Sequence, residues 1–513
     1  MKTSLDRGVQ YAGLIKELTL SNLRSSSKTA SQTKARRRLA DRLGLMHGLP
    51  QKIGQLLAFS DINNSSEDYL PLTEGDPSMS LDEIHHLFIL RTGYSVEEVF
   101  SDFSQTGISA SIGQVHHARL KDGREVAVKI QYPEISQNLE LDLRALGWIT
   151  EPVGDLRKGF DIKAYRSEIG TRLQEELNYK QEAKYLQYFS DCCHDWYEVV
   201  TPEVMHEFCS EKILITTWLA GESVQAAMTW SLEQRRKTAQ LILEFFLRGL
   251  FEWEVIHGDP HPGNYRFIKE DENVSLGVLD FGCCKPLKHE FVSALLNLIN
   301  QKLQRQCDDE TCWQCYMQMG FDENLMFPLK EHLADLTEVL FEPFISKGVY
   351  AMNQWNLRSR IANLLGKNRM AFRLAAPAEM IFIVRAFQGV IHYLSLLDAP
   401  VNWNELFLKI SNKVTCVNGF ECRKVIEEIK VYTESEFLRV CVEEDNEVSV
   451  DLKFKAKVVD NLQDIIPIDL KQKLESREIS LDVLAKKAQV SGYQRGELFC
   501  LTEEKKKVRV WLE

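Results

Sequence analysis

The sequence predicts an α+β fold in two lobes, a smaller strand-bearing one followed by a helix-rich one. A helical segment precedes the lobes and a small α+β module follows them. Three observations carry this. "GQVHHARLKDGREVAVKIQY" (Gly113–Tyr132) has two β-rich runs around a "KDG" turn, the pattern of a hairpin. "VIHGDPHPGNYRF" (Val255–Phe267) and "LDFG" alternate short apolar strands with polar loops. From about 288 to 412 the pattern is mostly helical, without glycine-rich punctuation.

At 513 residues the chain is too long for one ordinary core, so two or more domains are expected. Hydrophobic residues make up 44% and charged residues 27%, a globular profile rather than a disordered one. The formal net charge of -12 disfavours bulk nucleic-acid binding, so no nucleic-acid partner is expected. The opening "MKTSLDRGVQYAGLIKEL" has no continuous apolar core and does not read as a secretory signal. The 12 cysteines then read as reduced thiols of a cytoplasmic protein. Only Cys312 and Cys315 have ligand-like spacing, and the second pair that a zinc site needs is missing. "AEMIFIVRAFQGVIHYLSLL" (Ala378–Leu397) is the most apolar stretch, but Arg385, Gln388 and His392 interrupt it. It reads as a buried core helix, and no spanning segment is expected.

The elements follow in order. Residues 1–80 form a basic helical extension. Leu39, Leu43, Met46, Ile53 and Leu57 make one apolar face, broken between Gly48 and Pro50, while Arg24, Lys28, Lys34, Arg36, Arg37, Arg38 and Arg42 crowd the other side. The basic side is either a solvated face or a contact for anionic lipid headgroups. The first lobe, 81–225, opens with Ser80 and Glu83 as a capping box and contains the hairpin, helical pattern from about 135 to 195, and a strand in "KILITTW". The second lobe, 226–412, starts with the amphipathic helix in "SLEQRRKTAQLILEFFLRGLFEWEVI". The last module, 420–513, has two strand pairs, turning at "EEDNE" and "EEKKK", on either side of helical pattern.

The chemistry lies where the strands meet loops. Asp259 stands five residues before Asn264, and Asp280 follows sixteen residues after Asn264. Phosphoryl transfer needs a carboxylate to orient or deprotonate the acceptor and hard oxygen ligands for Mg²⁺. Asp259 suits the first role; Asn264 and Asp280 suit the second. Lys129, ending "VAVK" on a strand, suits the α and β phosphates of ATP or ADP if a helix carboxylate holds it, and Glu182 in "YKQEAKYLQYF" is that carboxylate. Each motif alone is weak. Their shared order on the expected elements is a protein-kinase-like set, which makes the predicted fold bilobal and protein-kinase-like. His257 and His261 read as core or loop histidines, or as a metal pair. A glycine-rich GxGxxG loop is missing. In "GISASIGQVHHA" the residues Ser109, Ala110 and Ser111 occupy the bend, with only Gly113 nearby, and their side chains crowd the phosphate path.

"KIGQ", "SASIGQVHHARLKDGREVAVKIQYP", "QEELNYKQEA", "HGDPHPGN" and "LDFG" together resemble the UbiB/AarF type of atypical kinase-like proteins, over roughly residues 5–400. The resemblance implies Mg²⁺-dependent ATP or ADP binding, lipid-stimulated ATPase activity and a link to ubiquinone and other isoprenoid lipids. It makes Lys129–Glu182 the ion pair, Asp259 the catalytic aspartate, and Asn264 and Asp280 the metal ligands. Ser109, Ala110 and Ser111 become the modified nucleotide loop. Lys52 and Gln55 become part of an inhibitory KxGQ helix folded over the site, with Lys52 facing an ExD carboxylate pair and protein substrates blocked. Here that pair reads Glu176, Leu177, Asn178, so an amide replaces one carboxylate and the latch is expected to be weaker. Ser109 stands where alanine is usual, and no C-terminal transmembrane helix is seen, although many members have one. The partners implied are a nucleotide, anionic or quinone-precursor lipids at a membrane surface, and a second copy of the chain in a homodimer. Two alternatives stand beside this reading: a small-molecule phosphotransferase of the aminoglycoside or choline kinase type, and a nucleotide-binding regulator without turnover.

Overall fold

The computed structural model describes residues 79–110, 112–133, 177–377, 379–416 and most of 437–512. The basic extension with Lys52 and Gln55, together with Ser111 and Glu176, lies outside the described residues. The chain divides into two compact units, Met1–Asn418 and Gly419–Glu513.

The first lobe opens on helix α1 (Leu81–Thr92), whose N-terminus carries the expected capping box. The Ser80 side chain accepts from Glu83 N, and the Glu83 carboxylate accepts from Ser80 N at 2.9 Å. An antiparallel sheet follows, in the order β1 (Phe100–Phe103), β3 (Gly113–Leu120), β4 (Glu125–Gln131), β6 (Ile213–Thr217), with the short β2 (Ile108–Ser109) on β3. The hairpin has formed, pairing Val115 with Lys129 and Ala118 with Val126. Strand alternation sends Val126, Val128 and Ile130 into a core with Ile84, Phe88 and Ile215, so Lys129 points to the opposite face. Helix α2 (Tyr179–Cys193) buries Tyr179, Glu182, Ala183, Leu186 and Phe189. These are helical steps of three and four, so Glu182 sits on the apolar stripe and its carboxylate is carried inward.

In the second lobe α3 (Leu232–Leu247) widens into a π turn at Arg248–Glu252. The chain then makes β7 (Val255–His257), which pairs antiparallel with β10 (Cys284–Pro286). Strands β8 (Tyr265–Glu270) and β9 (Asn273–Val278) form a hairpin, with β5 (Val199–Val200) parallel to β9. The two polar loops therefore leave the ends of short strands side by side: Asp259 follows β7 and Asp280 follows β9. Helices α4 (His289–Leu303) and α5 (Asp309–Gln318) come next, and after several further helices the chain forms α6 (Met380–Leu397). The ring of Phe281 lies 5.2 Å from that of Phe189, which also meets Phe245 and Trp253. This aromatic cluster ties the "LDFG" turn to α2 in the other lobe.

The second unit is a four-stranded antiparallel sheet ordered β12 (Glu447–Lys455), β11 (Phe437–Glu444), β14 (Lys506–Leu512), β13 (Gly496–Glu503). Leu438, Phe499, Leu501, Val508, Val510 and Leu512 alternate onto one face and pack with Val459, Leu462 and Leu474. The whole is α+β, as expected. Among the described residues no helix is long and apolar enough to cross a membrane.

Candidate active site

Lys129 is the centre of the cleft. Its ammonium lies 2.9 Å from both oxygens of Glu182 and 2.7 Å from Asp280 Oδ2. The ring of Tyr179 closes one side, 5.0 Å from Nζ. The Lys129 and Glu182 side chains are 13% and 4% exposed, so solvent screens their contact little. Burial by itself would lower the lysine; Asp280 and Glu182 outweigh it and hold Lys129 well above its ordinary value. Burial, with Asp280 adding to it, pushes Glu182 up to about 7 against the pull of Lys129. At Asp280 the balance is reversed: burial raises it, but Lys129 and the Gly282 N–H, which donates to Oδ1 at 3.0 Å, bring it below the usual carboxylate range. One ammonium thus faces two carboxylates, and Asp280 is the more acidic of them.

Two features fix Asp280 from behind. The His257 ring bonds the Asp280 carbonyl through Nε2 at 2.5 Å and the Tyr265 hydroxyl through Nδ1 at 3.3 Å. Burial lowers this histidine and favours the neutral ring. Leu279 N also donates to Asn264 O at 2.9 Å, joining the two loops. Of the two readings left open, His257 is a core histidine, while His261 accepts from Gly263 N at 3.1 Å and caps the short turn Pro262–Asn264. Among the described residues no group of three or more His, Cys, Asp or Glu is placed to hold a metal ion. The donors present fit Mg²⁺ instead, which takes one or two carboxylates and fills its other positions with phosphate oxygens and water. The Asn264 amide nitrogen donates to Asp259 O at 3.2 Å, so its Oδ1 is the atom that could meet a metal, and Asp280 would supply the carboxylate.

The bend at Ser109, Ala110 and Ser111 is partly described. Ala110 N donates to Gly113 O at 2.8 Å, and Ser109 Oγ is 3.1 Å from the Tyr132 hydroxyl. The serine that departs from the usual alanine thus has a local partner. Gly113 also has a packing reason: a Cβ there would lie 2.3 Å from Ile130 O. Asn178 is the N-cap of α2, its side chain accepting from Lys180 N and Gln181 N. An amide serves that position as well as a carboxylate does.

One residue escaped the sequence reading. Arg385 of α6 donates through Nη2 to Asp259 Oδ1 at 2.6 Å, and its Nη1 lies 3.9 Å from Cys283 Sγ. The available signal was a charge inside an otherwise apolar helix, because a buried guanidinium requires a counter-charge.

Residues 71–312 match the model of the ABC1 atypical kinase-like domain. The chain is 27% identical over 382 residues to the atypical kinase coq-8, mitochondrial, of Caenorhabditis elegans, covering 73% of this chain and 50% of that protein. It is 25% identical over 382 residues to the atypical kinase COQ8, mitochondrial, of Saccharomyces cerevisiae, covering 73% and 75%. Among solved structures, the complex of Rv3197 with erythromycin from Mycobacterium tuberculosis is similar at 26% identity and a TM-score of 0.50, over 74% of this chain and 95% of that one. The chain spans half the length of the nematode relative. The cleft that holds Lys129, Glu182 and Asp280 therefore lies within the stretch that matches the ABC1 atypical kinase-like domain, and the chain is similar to the COQ8 atypical kinases of the UbiB family.

Proposed function

We propose that the chain binds ATP or ADP with Mg²⁺ and hydrolyses ATP or transfers its terminal phosphoryl group, in a role linked to ubiquinone or another isoprenoid lipid. The observation that carries this is the Lys129 ammonium held between Glu182 and Asp280 at the mouth of two strand-end loops. In this reading Lys129 binds the α and β phosphates while Glu182 keeps it in place. Asn264 and Asp280 hold the metal, and Asp259 orients the acceptor, a water or a hydroxyl. When bound, Mg²⁺ neutralises charge on the phosphate oxygens. Each oxygen of Asp280 accepts one hydrogen bond, from Lys129 and from Gly282 N, and keeps a further lone pair that could meet the metal.

Ser109, Ala110, Ser111 and Gly113 are proposed to border the nucleotide. Lys52, Gln55 and Glu176 are proposed to form the restraining lid that keeps protein substrates away. Lipid contact through the basic extension and a homodimer belong to the same proposal. So does location at a membrane surface, in the cytoplasm or, as the names of the two relatives have it for them, in mitochondria.

The test is ATP hydrolysis by the full chain with and without anionic liposomes and quinone-like phenols, for wild type and Asp280→Asn. The variant loses the metal's charged ligand and is expected to lose turnover by about 100-fold or more; unchanged hydrolysis overturns the assignment. A second reading, a small-molecule phosphotransferase, draws on the "HGDPHPGN" loop and on the erythromycin bound in the Rv3197 complex. Stoichiometric phospho-product from erythromycin or another hydroxylated small molecule would favour it.

A further inference from the structure

We propose that α6 is a clamp on the catalytic loop and that Arg385 is the positioning residue for Asp259. This rests on the role given to Asp259 above. The helix presents three residues at steps of four to one short piece of chain, Asp259–Pro260. Arg385 donates to Asp259 Oδ1 at 2.6 Å. Gly389 lies against Pro260 so closely that a Cβ there would be 1.9 Å from the proline Cβ. Tyr393 donates its hydroxyl to Pro260 O at 3.1 Å and sets its ring 5.4 Å from that of Tyr265. Residues i, i+4 and i+8 share one face of a helix, so the three contacts form a single stripe.

The far end of the clamp is held as well. Arg235 of α3 donates to the carbonyls of Leu397 and Asp398, the open C-terminal end of α6. The loop is therefore gripped by a helix that is itself fastened to the lobe, and a rigid helix places a group better than a loop does.

The ion pair is buried: the Arg385 and Asp259 side chains are 6% and 11% exposed. A surface pair would be screened and weak, whereas here one arm of a planar guanidinium, Nη2, holds a carboxylate oxygen while Nη1 reaches toward Cys283 Sγ. Asp259 also feels the negative field of Asp280, so without a local cation two carboxylates would share the cleft. Arg385 supplies that cation. It touches no reacting atom in the proposed chemistry and acts through the carboxylate it aims. None of α6 falls within the matched residues 71–312.

The experiment uses the full chain and four variants: Arg385→Lys, Arg385→Gln, Asp259→Asn and the double variant Asp259→Asn with Arg385→Gln. ATP turnover, Mg²⁺–nucleotide affinity and Tm are measured for each. Lysine keeps the charge and loses the fork. Arg385→Lys is expected to lower kcat about 10- to 100-fold, the cost of a small misplacement of a catalytic group, while nucleotide affinity stays within about twofold of wild type. A purely structural role would instead move affinity and kcat together. In the Asp259→Asn background, Arg385→Gln should change the residual turnover less than about twofold, because the carboxylate to be positioned is already gone.

Arg385→Gln alone leaves a buried, uncompensated carboxylate and is expected to fold poorly. The double variant removes both charges and should melt higher than Arg385→Gln. Wild-type kcat in Arg385→Lys, with Asp259→Asn inactive, overturns the clamp alone. Wild-type turnover in Asp259→Asn overturns the functional reading and the clamp with it. A double variant that melts no higher than Arg385→Gln overturns the pairing.

Discussion

At the scale of single residues, the cleft is organised around one cation and two anions. Glu182 takes the penalty of that imbalance, and its carboxyl lies at about 7 against an unperturbed 4.5, chiefly through burial. Between those values the folded chain holds a proton that the unfolded chain has lost, so the glutamate's contribution to stability falls as pH rises through the window and levels off above it. His257 works in the other direction, because burial lowers its pKa; the unfolded chain takes up the proton first as pH drops through the ordinary imidazole range. Comparing wild type with Glu182→Gln cancels the histidine. Urea midpoints for the pair across pH 5 to 8 should show wild type losing stability relative to the variant as pH rises; parallel curves would disprove the raised carboxyl. That Lys129, Glu182 and Asp280 would meet, and that Asn264 would lie beside Asp259, was legible in the sequence from their fixed order on the expected elements. Arg385 was not, because the sequence separates it from Asp259 by 126 residues and no local pattern joins them. The proton balance was hidden as well, since it depends on which carboxylates share the ammonium.

At the scale of elements, one residue carries two readings. Asn178 reads in sequence as a weakened position in an acidic pair, and in the fold as the N-cap of α2. These readings separate experimentally. Asn178→Ala should cost about 1 kcal/mol, and Asn178→Asp only a few tenths, because both amide and carboxylate cap well; urea unfolding measures each. A change in ATP-against-ADP preference in Asn178→Asp, with stability held, would support a latch to Lys52, whereas equal preferences would leave only the cap. Capping boxes, the hairpin and the strand pairs of the second unit were legible because they obey local periodicity and turn chemistry. The π turn at Arg248–Glu252 was not. The sequence runs on as one amphipathic helix, and the widening accompanies the close approach of Gly249 to Val255 O, a tertiary contact.

At the scale of the whole molecule, the lobes meet through the Lys129–Asp280 and Phe189–Phe281 contacts, so a ligand seated between them should stabilise the first unit as a body. Mg²⁺ with ADP at one hundred times its Kd is expected to add about 2.7 kcal/mol to the stability of that unit, seen as a rise in Tm that Mg²⁺ alone does not produce. No shift at saturating nucleotide would contradict a ligand site in the cleft. The bilobal α+β arrangement was legible because each lobe has its own periodicity, but the sequence did not reveal which distant helix closes on which loop. The contact of α6 with Asp259 bears on modularity. The stretch that the family model matches ends at residue 312, whereas the counter-charge of Asp259 sits at Arg385 in α6. A chimaera joined at the first boundary would inherit an aspartate whose counter-charge had been left in the donor; a junction placed after α6 would transplant the two together.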